Sequence, residues 1–215
     1  MLKTRFDEIL QQLRLLQQEF DTEFDALLAD GRKRFHYTLT RGRVVFENGM
    51  RSLHREQRTG IWPYIKAAPV AFILTAPVIY GLLIPLVVLD LALTVYQQIC
   101  FRVYGIARVR RRDYLVIDRH RLSYLNGIEK ANCLYCGYTN QLLEYAREIA
   151  GRTEQFWCPI KHARRTPDPH RRTLNFVHYG DADGYVHRLD YLRQDLRGDD
   201  NARGPSSRAR GEDPI

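Results

Sequence analysis

The sequence has no apolar run near its start and few cysteines. Its first residues, MLKTRFDEILQQL, lack an apolar core of signal-peptide length, so we expect no cleaved export signal. Only four cysteines occur among 215 residues. In a reducing compartment, two cysteines spaced two residues apart bind metal or do redox chemistry more often than they belong to a disulfide framework.

A recognisable catalytic motif is also missing. The stretch DADG at 181–184 resembles the start of a calcium loop, but its glycine comes too early and the later glutamate is absent. We therefore interpret it as a helix N-cap. Glu144, Glu148 and Glu154 have no paired histidines at di-iron spacing and are interpreted as a solvated helix face. These absences favour a binding or structural role over an enzyme.

Charge is absent from 23 consecutive residues, Ala67 to Leu89. As a helix this run would rise about 35 Å, enough to cross a hydrocarbon core of about 30 Å. The apolar character continues past Asp90 to about Tyr104, and three prolines interrupt it: Pro69, Pro77 and Pro85. The sequence therefore predicts a membrane anchor, with the aromatic rings of Trp62 and Tyr64 in the head-group layer.

The basic residues around the anchor predict its topology. Lys and Arg crowd both flanks, at Arg51, Arg55, Arg58 and Lys66 on one side and at Arg102, Arg108, Arg110, Arg111 and Arg112 on the other. Because such residues favour the cytoplasmic side, both termini are expected in the cytoplasm. We expect a helical hairpin that turns near 81–85, with a single long helix as the alternative.

Asp90 is a charged residue inside the apolar stretch. A carboxylate there is costly to bury and is often functional. The sequence offers no basic partner nearby, so we interpret Asp90 as facing the other arm or a head-group pocket, bonded to Thr94 or Tyr96.

The first segment, residues 2–28, is predicted to be an amphipathic helix that stops at Gly31. Its apolar residues recur every three or four positions and form one stripe: Leu2, Phe6, Ile9, Leu13, Leu16, Phe20, Phe24 and Leu27. The stripe is long enough for a coiled coil and self-association, although docking on the rest of the same chain is favoured.

The remaining patterns predict a mainly α chain. Residues 34–47 are typical of a short β-hairpin around Arg41 and Gly42, with a helix from Asn48 to Gln57. Further helices are predicted near 118–132, at 139–150 with Gly151 as the stop, and at 183–196. The chain thus divides into an amphipathic helix (1–31), a small hairpin plus helix (32–60), the membrane segment (61–106), a helical domain (107–196) and a disordered tail (197–215).

Cys133, Cys136, Cys158 and His162 have the spacing of metal ligands. The first two cysteines let both sulfurs face one ion, and a third cysteine with a histidine four positions later closes a tetrahedron. The two halves would meet if the helix at 139–150 carried the chain away and the next residues brought it back. Zinc suits this ligand set, and such a site would hold together a domain with little core of its own. An iron–sulfur cluster, thiol redox chemistry, or buried free cysteines without any site are the alternatives.

The formal charge of +8 suits nucleic acid, an anionic lipid surface or an acidic protein partner. Beside a membrane anchor, lipid head groups are the favoured partner and nucleic acid the least favoured, because a juxtamembrane basic residue gains about 1 kcal/mol near an anionic leaflet.

The run from Tyr104 through RRRDY, DRHRLSYLNGIEKANCLYCGYTN and REIAGRTEQFWCPIKHARR resembles an uncharacterised family of bacterial membrane proteins. The resemblance covers roughly residues 60 to 180. It implies a membrane location, which in a bacterium would be the inner membrane, and no particular activity.

Two functions follow from the sequence. The first is a membrane-anchored, zinc-stapled module at the cytoplasmic face that binds a protein partner or a lipid surface. The second is a membrane-bound redox protein that carries an iron–sulfur cluster or reactive thiols.

Overall fold

The computed structural model describes residues 2–40, 43–47, 49–164 and 166–198. The described chain is mainly helical, as predicted, and forms two compact units that divide between Gln57 and Arg58. The tail predicted to be disordered lies outside the described residues, apart from positions 197 and 198, which end the last helix.

The first unit begins with helix α1, Leu2–Arg34, which continues through the predicted stop at Gly31. The described stripe residues from Ile9 to Leu27 are exposed. Within the described part of the first unit, no element covers this stripe.

A β-hairpin follows, as predicted, from strands β1 (Tyr37–Thr40) and β2 (Arg43–Phe46). The strands are antiparallel, with Tyr37 opposite Phe46. The predicted turn residues Arg41 and Gly42 lie outside the described part of the chain. Helix α2, Met50–Glu56, completes the unit, and Asn48 at its predicted start also lies outside the described part.

The second unit is built on one long apolar helix. After the short helix α3 (Ile61–Ala67), the helical backbone runs without reversal from Val70 to Tyr104. It comprises α4 (Val70–Gly81), α5 (Leu83–Tyr96), a π-helical turn (Gln97–Phe101) and α6 (Arg102–Tyr104). Its 35 residues make it the one helix in the described chain that is long and apolar enough to cross a membrane. We refer to Val70–Tyr104 as the apolar helix.

The hairpin favoured by the sequence is absent from the apolar helix. Leu82, at the expected turn, keeps helical angles (φ −63°, ψ −18°), and its carbonyl accepts the N–H of Leu86 at 3.4 Å. Pro77 is accommodated inside α4, and Pro85 lies in the first turn of α5, where a missing N–H costs little. The prolines therefore interrupt hydrogen bonds without reversing the chain.

Gly105 ends the apolar helix. Its φ of 68° is left-handed, and the N–H of Ile106 reaches back to the carbonyl of Phe101 at 2.8 Å. Residues 105–126 then form the return segment, an irregular stretch with two short 3₁₀ turns at Arg111–Asp113 and Arg119–Arg121.

Helix α7 spans Gly127–Trp157 without interruption. Asn126 and Glu129 form a capping box at its start: the Asn126 side chain accepts N–H groups at 3.0 Å, and Glu129 accepts the N–H of Asn126 at 2.8 Å. The prediction of two separate helices here is wrong. Gly151 does not end a helix but lies inside α7, where an added Cβ would lie 3.1 Å from Nδ1 of His170.

The apolar helix and α7 lie side by side and run in the same direction. Contacts advance along both helices together: Tyr80 with Asn132, Asp90 with Tyr138, Gln97 with Tyr145, and Tyr104 with Trp157. The core between them and the neighbouring elements consists of Leu86, Phe101, Ile106, Val109, Leu142, Tyr145, Ile149 and Leu196. Since the helices are parallel, the return segment must run back along them before α7 begins.

The remaining chain packs on the second half of α7. Residues 158–161 pair with Val177, whose N–H donates to the Pro159 carbonyl at 2.8 Å. Helix α8, Ala182–Gly198, buries Leu192 and Leu196. The predicted N-cap is confirmed: a side-chain oxygen of Asp181 accepts the N–H of Gly184 at 2.9 Å.

Candidate functional site

The four predicted metal ligands lie at opposite ends of α7. Cys133 and Cys136 are in its first turns, whereas Cys158 directly follows its last residue, Trp157. His162 lies beyond Cys158 and is exposed. The 22 positions from Cys136 to Cys158 correspond to about 33 Å along a helix.

This separation removes the geometry on which the metal prediction depended. Zinc–sulfur bonds are about 2.3 Å long, so ligands of one ion must lie within a few ångströms of each other. The described residues contain no group of three histidine, cysteine or acidic side chains placed to hold a metal ion. The structure brings Cys133 and Cys136 to one side of α7 but does not bring Cys158 or His162 to them.

Asp90 lies at the centre of a polar cluster between the apolar helix, α7 and the return segment. Arg111 donates to both carboxylate oxygens, to Oδ1 at 2.8 Å and to Oδ2 through its other terminal nitrogen. Tyr138 donates to Oδ2 at 2.8 Å. Thr94 bonds only the backbone carbonyl of Asp90. The expectation that Asp90 has no basic partner is therefore wrong.

Burial raises the pKa of three tyrosine hydroxyls in this region. Burial, followed by the hydrogen bond to Asp90, raises the pKa of Tyr138 to about 12. Burial also raises the pKa of Tyr145. It raises the pKa of Tyr114 to about 12, with the charge of Glu148 as a second cause. At neutral pH all three tyrosines are therefore uncharged, and Tyr138 donates its hydroxyl hydrogen to Asp90.

Gln97 connects the apolar helix to the return segment. It is buried at the start of the π-helical turn. Its amide nitrogen donates to the Tyr145 hydroxyl, and its amide oxygen accepts the N–H of Val109 at 2.8 Å. Both ends of the side chain are thus satisfied, which a polar group buried beside an apolar helix requires.

Glu148 is not part of a solvated face, contrary to the sequence interpretation. Its carboxylate accepts from Arg152 at 2.9 Å and from Arg172 at 2.7 Å. Glu154 likewise bonds His170 at 2.7 Å. Glu144, by contrast, is exposed. The two bonded glutamates fix the segment after Cys158 onto α7.

The other sides of the apolar helix are covered by no element in the described part of the second unit. Side chains around the whole circumference of α4 are exposed, including Leu74 at 72% and Val78 at 76%. On α5, exposure is confined to the sides that face away from α7. An apolar surface of this extent on one helix is typical of a membrane or protein contact.

Sequence reasoning missed Arg111, Tyr138 and Gln97. One signal was available: Leu86, Asp90, Gln97 and Phe101 recur at helical spacing, so polar residues inside an apolar run mark its packed side. The partners on α7 and in the return segment could not be identified, because they depend on the parallel arrangement.

Comparisons with known proteins identify no relative of this chain. No family model matches it, no curated protein matches it, and no solved structure matches it. The function is therefore argued from the residues and their arrangement.

Proposed function

We propose that this protein is a non-enzymatic module attached to the cytoplasmic membrane of a bacterium, where it presents its polar side to a lipid head-group surface or a protein partner. The observation that supports this most directly is the exposed apolar surface of Val70–Tyr104. Trp62, also exposed, precedes this helix and suits the head-group layer.

The neighbours of the apolar helix support an orientation along the membrane surface. The basic segment expected beyond the end of the apolar helix instead lies beside it. Arg111 donates to Asp90, and the backbone N–H of Val109 donates to Gln97. The capped, charged start of α7 is level with Tyr80, through Asn132. A crossing helix would take these groups into hydrocarbon, at about 2.5–3.5 kcal/mol for each charged residue near the centre. In our proposal the exposed side enters the lipid while α7 and the return segment stay on the aqueous side.

The zinc and iron–sulfur hypotheses are not part of this proposal, because α7 separates Cys133 and Cys136 from Cys158 and His162. Thiol chemistry at Cys133 and Cys136 stays a prediction. Self-association through α1 is kept as part of it. The exposed stripe from Ile9 to Leu27 is suited to a second copy of the same helix.

Membrane attachment is tested by placing charge on the exposed apolar surface. Leu74→Arg combined with Val78→Arg should move the full-length protein from the membrane fraction to the soluble or aggregated fraction, because two charges would have to enter the apolar layer that the exposed side contacts. Val186→Arg is a matched control, since Val186 is equally exposed but lies on α8. Retention of the double variant in alkali-washed membranes would overturn the proposal.

The orientation is tested with reporter fusions at the C-terminus and before Arg51. An apolar helix that lies along the surface keeps both reporters in the cytoplasm. Reporters on opposite sides would show a crossing helix and would overturn the orientation while leaving membrane attachment intact.

A further inference from the structure

A cleft of about 450 Å³ opens between the end of α5 and the return segment. Its polar walls are formed by Thr94, Gln97 and Gln98 from the apolar helix, Tyr145 from α7, and Arg108, Arg110 and Arg111 from the return segment. We call it the arginine cleft. It lies at the π-helical turn, a kind of helix distortion that is often found at functional sites.

The arginine cleft is strongly basic. No acidic side chain of the described chain lines it. Asp90 neutralises Arg111 from the buried side, and Arg108 is held in position by a 2.8 Å bond to the amide oxygen of Gln98. Guanidinium groups donate charge-assisted, often paired hydrogen bonds to phosphate oxygens, so a cleft lined by three arginines suits a phosphate.

An apolar stripe leads along the helix into the cleft. Ile84, Val87 and Leu91 precede Thr94 and Gln98 at spacings of three and four, so all five lie on one side of the helix. The three apolar members are exposed by 71%, 50% and 67%. A molecule with a hydrocarbon chain and a phosphate would contact both the stripe and the cleft.

We propose that the arginine cleft binds the phosphate group of an anionic phospholipid, whose acyl chain lies along Ile84, Val87 and Leu91. This inference rests on the proposed membrane attachment and names the ligand of that surface. The phosphate of a soluble compound would satisfy the arginines equally well, but it would leave the apolar stripe unused. A zwitterionic lipid would bring its own cation against the arginines.

The test uses full-length protein in neutral maltoside micelles, where a charged bilayer surface is absent. Binding of short-chain phosphatidylglycerol is measured by calorimetry, with short-chain phosphatidylcholine and glycerol phosphate as competing ligands. Phosphatidylglycerol should bind at least about tenfold more tightly than either, since only it offers both an uncompensated phosphate and an acyl chain.

Substitutions locate the site. Arg108→Gln combined with Arg110→Gln should weaken phosphatidylglycerol binding about tenfold or more, because charge-assisted hydrogen bonds are lost. Arg119→Gln combined with Arg121→Gln removes the same charge from exposed positions of the same segment and should change binding less than about twofold. The single variant Arg108→Gln, with unchanged helix content by circular dichroism, serves if the double variant misfolds.

Three results would overturn the proposal. Equal losses in the two arginine pairs would show a diffuse charge effect, equal affinity for phosphatidylcholine would remove the anion preference, and equal affinity for glycerol phosphate would show a soluble ligand. Flotation of the wild-type protein with pure phosphatidylcholine vesicles separates this inference from the proposed function. Failure to float would overturn membrane attachment, whereas the micelle measurement judges the cleft on its own.

Discussion

Replacing Asp90 by asparagine should destabilise the second unit, because the charge that holds Arg111 against the apolar helix is lost. The carboxylate side chain is 9% exposed and the guanidinium 46%. Breaking a fully buried ion pair costs about 3–5 kcal/mol of unfolding free energy, and breaking an exposed one costs about 0–1 kcal/mol. Because the carboxylate here is buried and the arginine half-exposed, we expect an intermediate loss of about 2 kcal/mol. Asparagine keeps an acceptor for Tyr138, whereas Asp90→Ala would add about 1 kcal/mol for the unsatisfied hydroxyl.

Thermal unfolding in neutral micelles, followed by circular dichroism, measures this loss. For a chain of this size about 2 kcal/mol corresponds to a fall in Tm of about 4–8 °C. A double-mutant cycle with Arg111→Gln isolates the pair and should give a coupling free energy of about 1–2 kcal/mol. The neighbouring pair Arg112 and Asp113, 3.9 Å apart with a largely exposed arginine, is the matched control and should couple by less than about 0.5 kcal/mol. Equal coupling in both cycles would refute the role assigned to Asp90.

Three further predictions concern other parts of the second unit. Gly105→Ala should lower the unfolding free energy by about 1 kcal/mol, because φ is 68° at this position. Gly137→Ala should raise it by up to about 1 kcal/mol, because Gly137 lies inside α7 and an added Cβ meets no atom within 4 Å. Denaturant titration of both variants measures the sign of each change. Cys133→Ser combined with Cys136→Ser should leave Tm unchanged with or without a metal chelator, and a chelator-dependent fall in the wild type would restore the metal hypothesis. The pKa of Tyr114 is raised to about 12 in the folded protein, against 10.0 for an ordinary tyrosine. The neutral side chain therefore contributes to stability fully below pH 10, and this contribution is lost as the pH rises toward 12. In Tyr114→Phe, Tm should fall less steeply over that pH interval.

The local elements were predictable because their signals are local. The β-hairpin follows from alternating residues at 37–46, and the start of α8 follows from the acceptor at Asp181. The apolar helix was visible from the charge-free run alone. These features depend on neighbours a few residues away, which the sequence displays directly.

The errors came from residues with more than one physical use. Glycine both ends helices and permits close packing, and at Gly151 the helix continues with the imidazole of His170 packed close to it. Proline both starts and interrupts helices, so Pro77 and Pro85 did not reveal that the chain continues straight. The ligand spacing of Cys133 and Cys158 was compatible with a metal site only while a reversal between them was assumed.

The partners of Asp90 could not be found from the sequence for a different reason. Tyr138 is 48 residues away, and Arg111 reaches Asp90 only because the return segment runs back along the helix. A connection of this kind leaves no periodic pattern. The two parallel helices had to be seen before the polar residues in the apolar run could be paired.

The parallel packing of α7 on the apolar helix also has a consequence for synthesis. Asp90 meets Tyr138 only after 48 further residues have been added, and Tyr80 meets Asn132 only after 52. At about 5–20 residues per second the ribosome needs about 3–10 s for this interval. Throughout that time the apolar helix has left the ribosome while its protein partner does not yet exist. Lipid or a chaperone must cover it first, so α7 packs onto a helix that is already bound to one of them.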